Sequence, residues 1–158
     1  GNPSMIKINE VVIGLTSTDI LMHLGKEEVA QKSVSSNRLE RLVEHMLNQQ
    51  SFYPVFPGSG SDVVPLDMQH NDKWRMPVSP DILLVPSRLA TFARPLSNGT
   101  LAINPGQVAK GTSGGTYARL NIHPLSSELL TKAQAGGSAS MPLTHQVAQR
   151  TSLQIKRI

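Results

Sequence analysis

Pro80-Asp81-Ile82-Leu83-Leu84-Val85-Pro86 sets four consecutive apolar residues between two prolines. So short a run is no helix, and without alternation both of its faces avoid water, so it reads as a central strand covered on two sides. A chain built on such a strand needs a sheet and a layer on each face of it. The clearest helix supplies one layer. Asn37 with Glu40 three positions on makes a capping box, and Leu39, Leu42, Val43, Met46 and Leu47 form one apolar stripe over 37–50. Arg38, Arg41, Glu44 and His45 are expected to face water.

Other segments fill in the sheet. Ile6 and Ile8 alternate with Lys7 and Asn9 ahead of Val11-Val12-Ile13, which predicts a hairpin leading into a buried strand. Thr16-Ser17-Thr18-Asp19 offers caps for a short helix through about Gly25, with Ile20, Leu21 and Leu24 inward, before a polar loop over 26–35. Thr100 to Ile103 reads as a strand stopped by Asn104-Pro105-Gly106, after an irregular link. Gly111 to Gly115 reads as a flexible loop, Thr116 to Ile122 alternates as a strand, and the chain closes on a strand containing Leu153 and Ile155. Residues 126–145, small and polar, are expected to form a mobile insertion in a hairpin, because they bury too little apolar area to offset the entropy of ordering them.

Five prolines and a Gly-Ser-Gly-Ser tract between Gln50 and Pro80 predict a long irregular connection. Phe52, Tyr53 and Phe56 open it. They either pack on the core or offer a partner an anchor, and Trp74-Arg75 joins them as a candidate contact.

Charge divides the chain. Residues 1–72 carry five basic and nine acidic side chains, and 73–158 carry ten and two, so the halves stand at −4 and +8. A basic half suits a polyanion such as nucleic acid, or it is a set of scattered solvated charges. With no cysteine, disulfides and thiolate zinc sites are excluded. No apolar run approaches the roughly 18 residues that cross a bilayer, and no membrane partner is expected.

Catalytic motifs are missing. Lys110 precedes the glycines of Gly111-Thr112-Ser113-Gly114-Gly115, the reverse of a phosphate-binding P-loop. His23, His45, His70, His123 and His145 are scattered without metal-ligand spacing.

The order of Asp81 to Val85, Thr100 to Ile103, Asn104-Pro105-Gly106 and Thr116 to Ile122 resembles the closing segment of calcineurin-like metallophosphoesterases. Active members end the first of these strands with Gly-His-x-His. Here Pro86-Ser87-Arg88-Leu89 stands in that place, so the two metal-binding histidine positions fall on Ser87 and Leu89, neither of which offers an imidazole nitrogen. An inactivated domain of this kind resembles the accessory B subunits of the replicative DNA polymerases, nearest their polymerase alpha–primase branch. Ile13 to Leu21, His23-Leu24-Gly25, Gln50 to Pro54, Pro80 to Ser87, Asn104-Pro105-Gly106 and Gly114 to Leu120 carry the likeness in family order.

The resemblance implies an α+β fold, a β-sandwich with flanking helices, in which 1–158 is the C-terminal portion of one phosphoesterase-like domain. It implies a non-catalytic scaffold in the nucleus that takes part in DNA replication, with no cofactor. Its partners would be the zinc-carrying C-terminal domain of the polymerase alpha catalytic subunit, primase through the complex, and DNA indirectly. The alternatives are a nucleic-acid-binding module using the basic half and, as a remote one, a working metallophosphoesterase.

Overall fold

A computed structural model describes residues 1–29, 37–58, 64, 67–128, 130–131 and 145–158. The sequence opens with the expected hairpin, β1 (Ser4–Ile8) against β2 (Val11–Leu15), with Ile8 paired to Val11. Helix α1 (Ile20–Glu27) follows, capped by the Asp19 carboxylate on the Met22 N–H. Helix α2 (Arg38–Asn48) is capped by Asn37 on the Leu39 N–H, as the capping pattern requires. A short 3₁₀ helix covers Met68–Trp74.

β3 (Ile82–Leu84) lies in the middle of a five-stranded sheet of order β1-β2-β3-β5-β4, where β4 is Phe92–Pro95 and β5 is Leu101–Asn104. β2, β3 and β5 run parallel, and β1 and β4 close the edges antiparallel. Beyond them come the small hairpin β6 (Ala109–Lys110) and β7 (Ser113–Gly114), and the long hairpin β8 (Thr116–Ile122) and β9 (Thr151–Arg157).

The alternation of the central strands splits the core in two. Leu83, Val85 and Ala102 point to the helices and pack with Ile20, Leu21, Leu42, Val43 and Met46. Ile82, Leu101 and Ile103 point the other way, to Ala118, Leu120, Ile122 and Leu153 of the long hairpin. The fold is therefore α+β, with helices on one face of a mixed sheet and a β-hairpin on the other. Phe52 completes the helical side by lying over Gly14, where a Cβ would come within 3.1 Å of Leu83 and 3.3 Å of the Phe52 ring.

Three expectations change. The link between β3 and β5 contains a strand, β4, because Pro95, which has no N–H to donate, is acceptable on a sheet edge. Gly111 to Gly115 is a tight hairpin rather than a flexible loop, with Gly111 at φ 61° in its turn. Arg38 and Arg41 do more than face water, since they bond Glu28 at 3.3 and 3.1 Å. The end of the 26–35 loop and the centre of the 126–145 insertion lie outside the described residues.

Burial works to raise the pKa of the Glu28 carboxyl, whose side chain keeps 6% of its exposure, but hydrogen bonds from Arg41 and Arg38 outweigh it and hold the pKa below the ordinary carboxylate range. Stability from this cluster is present above that range and is lost as pH falls through the lowered value. Replacing Glu28 by glutamine is expected to flatten the acid limb of a melting-temperature profile, and replacing Asp72, whose lowered carboxyl faces Lys73 in open solvent, should flatten it far less.

Leu42 is 1% and Val43 0% exposed. Leu42→Ala should cost about 2–5 kcal/mol in urea unfolding. Val43→Asp, which buries a charge, should lower the melting temperature far more than Arg38→Ala. Equal melting temperatures for the last two would show that α2 docks through another face.

Candidate functional site

Three parallel strands end at one edge of the sheet, and ligands of open α/β sheets bind beyond such carboxyl ends. Thr16 to Asp19 leaves β2, Val85 to Ala90 leaves β3, and Pro105-Gly106 leaves β5. The side chain of Asn104 ties these exits together. It is 0% exposed. Its Oδ1 accepts the Ser87 and Gly106 N–H groups, each at 2.9 Å, and its Nδ2 donates to the Leu89 and Ala90 carbonyls at 3.3 and 3.1 Å. Every hydrogen-bonding position of the amide is used.

Neighbouring groups complete the clasp. Asp19 caps α1 with one oxygen and accepts the Arg88 N–H at 2.9 Å with the other. Ser87, 1% exposed, accepts the Leu89 N–H on its hydroxyl at 3.1 Å. The Thr116 hydroxyl donates to the Pro105 carbonyl at 2.8 Å. Gly106 sits at φ 80°, and a Cβ there would run into the Thr116 Oγ1 and come within 2.9 Å of Thr91. Only glycine fits that turn.

The two positions singled out in sequence, Ser87 and Leu89, thus stand next to the Asn104-Pro105-Gly106 turn. Ser87 is occupied with backbone, and the Leu89 side chain packs on the helical core. Among the described residues no group of three His, Asp or Glu side chains is placed to hold a metal ion. His23, behind Asp19, is buried edge-on to the Tyr53 ring, with its Nδ1 3.2 Å from the tyrosine hydroxyl. Beside the clasp runs a groove of about 490 Å³ whose walls include Leu84, Pro86, Pro105, Val108 and Tyr117.

The five candidate contact residues separate. Phe52 and Tyr53, 2% and 8% exposed, take the core role. Phe56 is 82% exposed, on a shallow groove with Glu27, Pro54 and Val55. Trp74 is half-buried and Arg75 exposed, and this segment is stitched to the first by the Phe52 N–H on the Trp74 carbonyl and the Met76 N–H on the Gln50 carbonyl, both 2.8 Å. Sequence reasoning passed over Asn104 as a turn former. Its signal was a polar residue closing the apolar run Leu101-Ala102-Ile103.

The sequence of these elements matches the model of the DNA polymerase alpha/epsilon B-subunit family over residues 1–94, and the chain belongs to that family of polymerase B subunits. Its relatives there include alpha members. The B subunit of DNA polymerase alpha from Rattus norvegicus is 39% identical over 121 residues, 76% of this chain and 20% of the relative. The Schizosaccharomyces pombe protein of the same name is 37% identical over 161 residues, 99% of this chain and 27% of the relative, and that of Saccharomyces cerevisiae is 32% identical over 153 residues, 77% and 21%. The chain thus spans about a fifth to a quarter of the length of these relatives.

Asn104→Ala should strand two N–H groups and two carbonyls, at a cost of about 3 kcal/mol or more. Native-state amide exchange is expected to accelerate at Ser87 and Gly106 while the β8–β9 amides keep their protection. Uniform acceleration would mean that Asn104 supports the whole core rather than the clasp.

Proposed function

We propose that this chain is part of a non-catalytic accessory subunit of DNA polymerase alpha–primase, a scaffold that tethers the catalytic subunit in the nucleus during initiation of DNA replication. In this reading the sheet and its two layers are a calcineurin-like phosphoesterase fold that has given up its metals. The observation that carries it is the fate of the loop after β3. Where a phosphoesterase would offer two imidazoles, Ser87 offers a hydroxyl already bonded to the Leu89 N–H, and Leu89 offers a hydrocarbon packed on the core. Such a pair does not fit a two-metal centre, which needs nitrogen or carboxylate donors on each ion. The chemistry belongs to partners, and this chain contributes a rigid surface.

The catalytic subunit's zinc-carrying C-terminal domain is the partner, with primase held through it. Phe56, Trp74 and Arg75 are the anchors of choice, because an exposed aromatic, a half-buried indole and an exposed guanidinium suit the centre of an interface. The test is co-purification of that domain with the full-length protein. Phe56→Ser combined with Arg75→Glu should weaken capture about tenfold or more without lowering the melting temperature. Chelator-sensitive phosphodiesterase turnover by the purified protein, with Mn²⁺ or Zn²⁺ held beside Ser87 or Leu89, would overturn the scaffold reading.

A further inference from the structure

The surplus positive charge of the second half has an address in the fold. Arg38 and Arg41 reach Glu28, Arg94 reaches Glu40, and Arg150 reaches Glu10. Besides Lys7, Arg75 and Arg88, which are dispersed over other segments, the side chains of Lys110, Arg119, Lys156 and Arg157 have no hydrogen-bond or ion-pair partner among the described residues. All four lie on the two hairpins. These are joined by the Thr116 N–H on the Gln107 carbonyl and the Ile158 N–H on the Gly115 carbonyl, at 2.8 and 3.0 Å. No Asp or Glu occurs in 107–123 or 145–158 to offset them.

Register orders this charge. Tyr117 stands opposite Lys156, Arg119 opposite Gln154, and Asn121 opposite Ser152. Because Ala118, Leu120 and Leu153 pack inward, alternation turns those six side chains outward, on the face away from the core. Tyr117 is 43% exposed, directly across from a lysine.

We propose that this outward face of β8–β9 is a docking track for a single strand of DNA. Arg119 and Lys156, with Lys110 beyond them, neutralise phosphates, and Tyr117 is the platform on which a base stacks, whereas Arg157 shares the parity of Leu153 and Ile155 and lies on the other face of β9. Cations alone suit any polyanion. An exposed ring between cations is the combination single-strand binders use, because unpaired bases are free to stack on a side chain. A duplex keeps its base faces in its own stack, and an acidic peptide carries no ring at each repeat. Outward residues along one strand recur about every 6.6 Å, so the track is continuous rather than a point contact. Arg38, Arg41, Arg94 and Arg150 serve the fold through their ion pairs, whereas the cations of this face do not. DNA rather than RNA follows from the polymerase reading above, on which that one detail rests.

The test is fluorescence anisotropy of a labelled oligo(dT) of about twenty nucleotides with the full-length protein at several salt concentrations. Wild type should bind with an affinity that falls linearly in log salt. Arg119→Gln with Lys156→Gln should weaken binding about tenfold and reduce the slope by about 1.4, two contacts' worth for a single strand. Tyr117→Ala should weaken it about tenfold with the slope unchanged. Arg94→Gln, a paired arginine, should do neither. If the glutamine pair lowers the melting temperature, Arg119→Lys with Lys156→Arg keeps the charge and should keep both affinity and slope. Absence of binding by wild type, or wild-type binding by the double and tyrosine variants, overturns the track. So does displacement of oligo(dT) by poly-glutamate that Tyr117→Ala leaves unaffected, which would assign the face to an acidic protein. Tighter binding of oligo(U) than of oligo(dT) overturns the choice of DNA. Capture of the catalytic subunit's domain, measured on the same variants, should be unchanged, which separates failure of the track from failure of the scaffold.

Discussion

β3 is three residues long, and both layers of the protein hang on it. Its position between two parallel neighbours satisfies its backbone on both sides, and its alternation sends Leu83 to the helices and Ile82 to the long hairpin. Without a strand buried on both faces there would be one core instead of two, and no reason for β8–β9 to cover the sheet. The edges can then be modest. β4 carries a proline where a central strand could not, and β1 turns back on β2 in a hairpin.

A consequence of the parallel arrangement is that three strands deliver their exits to one place. Such a crevice is where enzymes of open sheets put their chemistry, since loops there converge and helix N-termini point at it. In this chain the same convergence is consumed by structure. Asn104 spends all four of its hydrogen-bonding positions on the backbone of its neighbours, and Asp19 spends both oxygens on N–H groups. A fully satisfied buried amide makes a rigid joint and leaves no atom for a substrate. Exposed side chains lie farther out, at Phe56 and on the outward face of the long hairpin.

The electrostatics follow the same division. Glu28, drawn out of water, holds two arginines of α2 and so fixes the end of α1 against its neighbour. Arg150 bonds Glu10 and the carbonyls of His123 and His145, and so clamps both ends of the excursion between β8 and β9 to the β1–β2 turn. Charges used in this way are internal to the fold. Those on the outer face of β8–β9 are not.

Much of the architecture was legible because local signals agreed with it. The proline-bounded run marked the buried strand, the capping box and stripe marked α2, and the alternation of Thr116 to Ile122 marked β8 to the residue. The family likeness was legible in residues such as Pro80 to Ser87 and Asn104-Pro105-Gly106. What sequence left open depended on distance in the chain. That Phe52 faces the core was decided by the space above Gly14, nearly forty positions away. Asn104 read as a turn former because its four partners lie at 87, 89, 90 and 106, three of them on another strand's exit. Arg119 read as one of several scattered charges because only antiparallel register sets Lys156 opposite Tyr117, one outward pair along from it. Periodicity and capping act over a few residues and are written in the chain itself, whereas burial, satisfaction of polar groups and the pairing of charges belong to whichever segments the tertiary structure brings together.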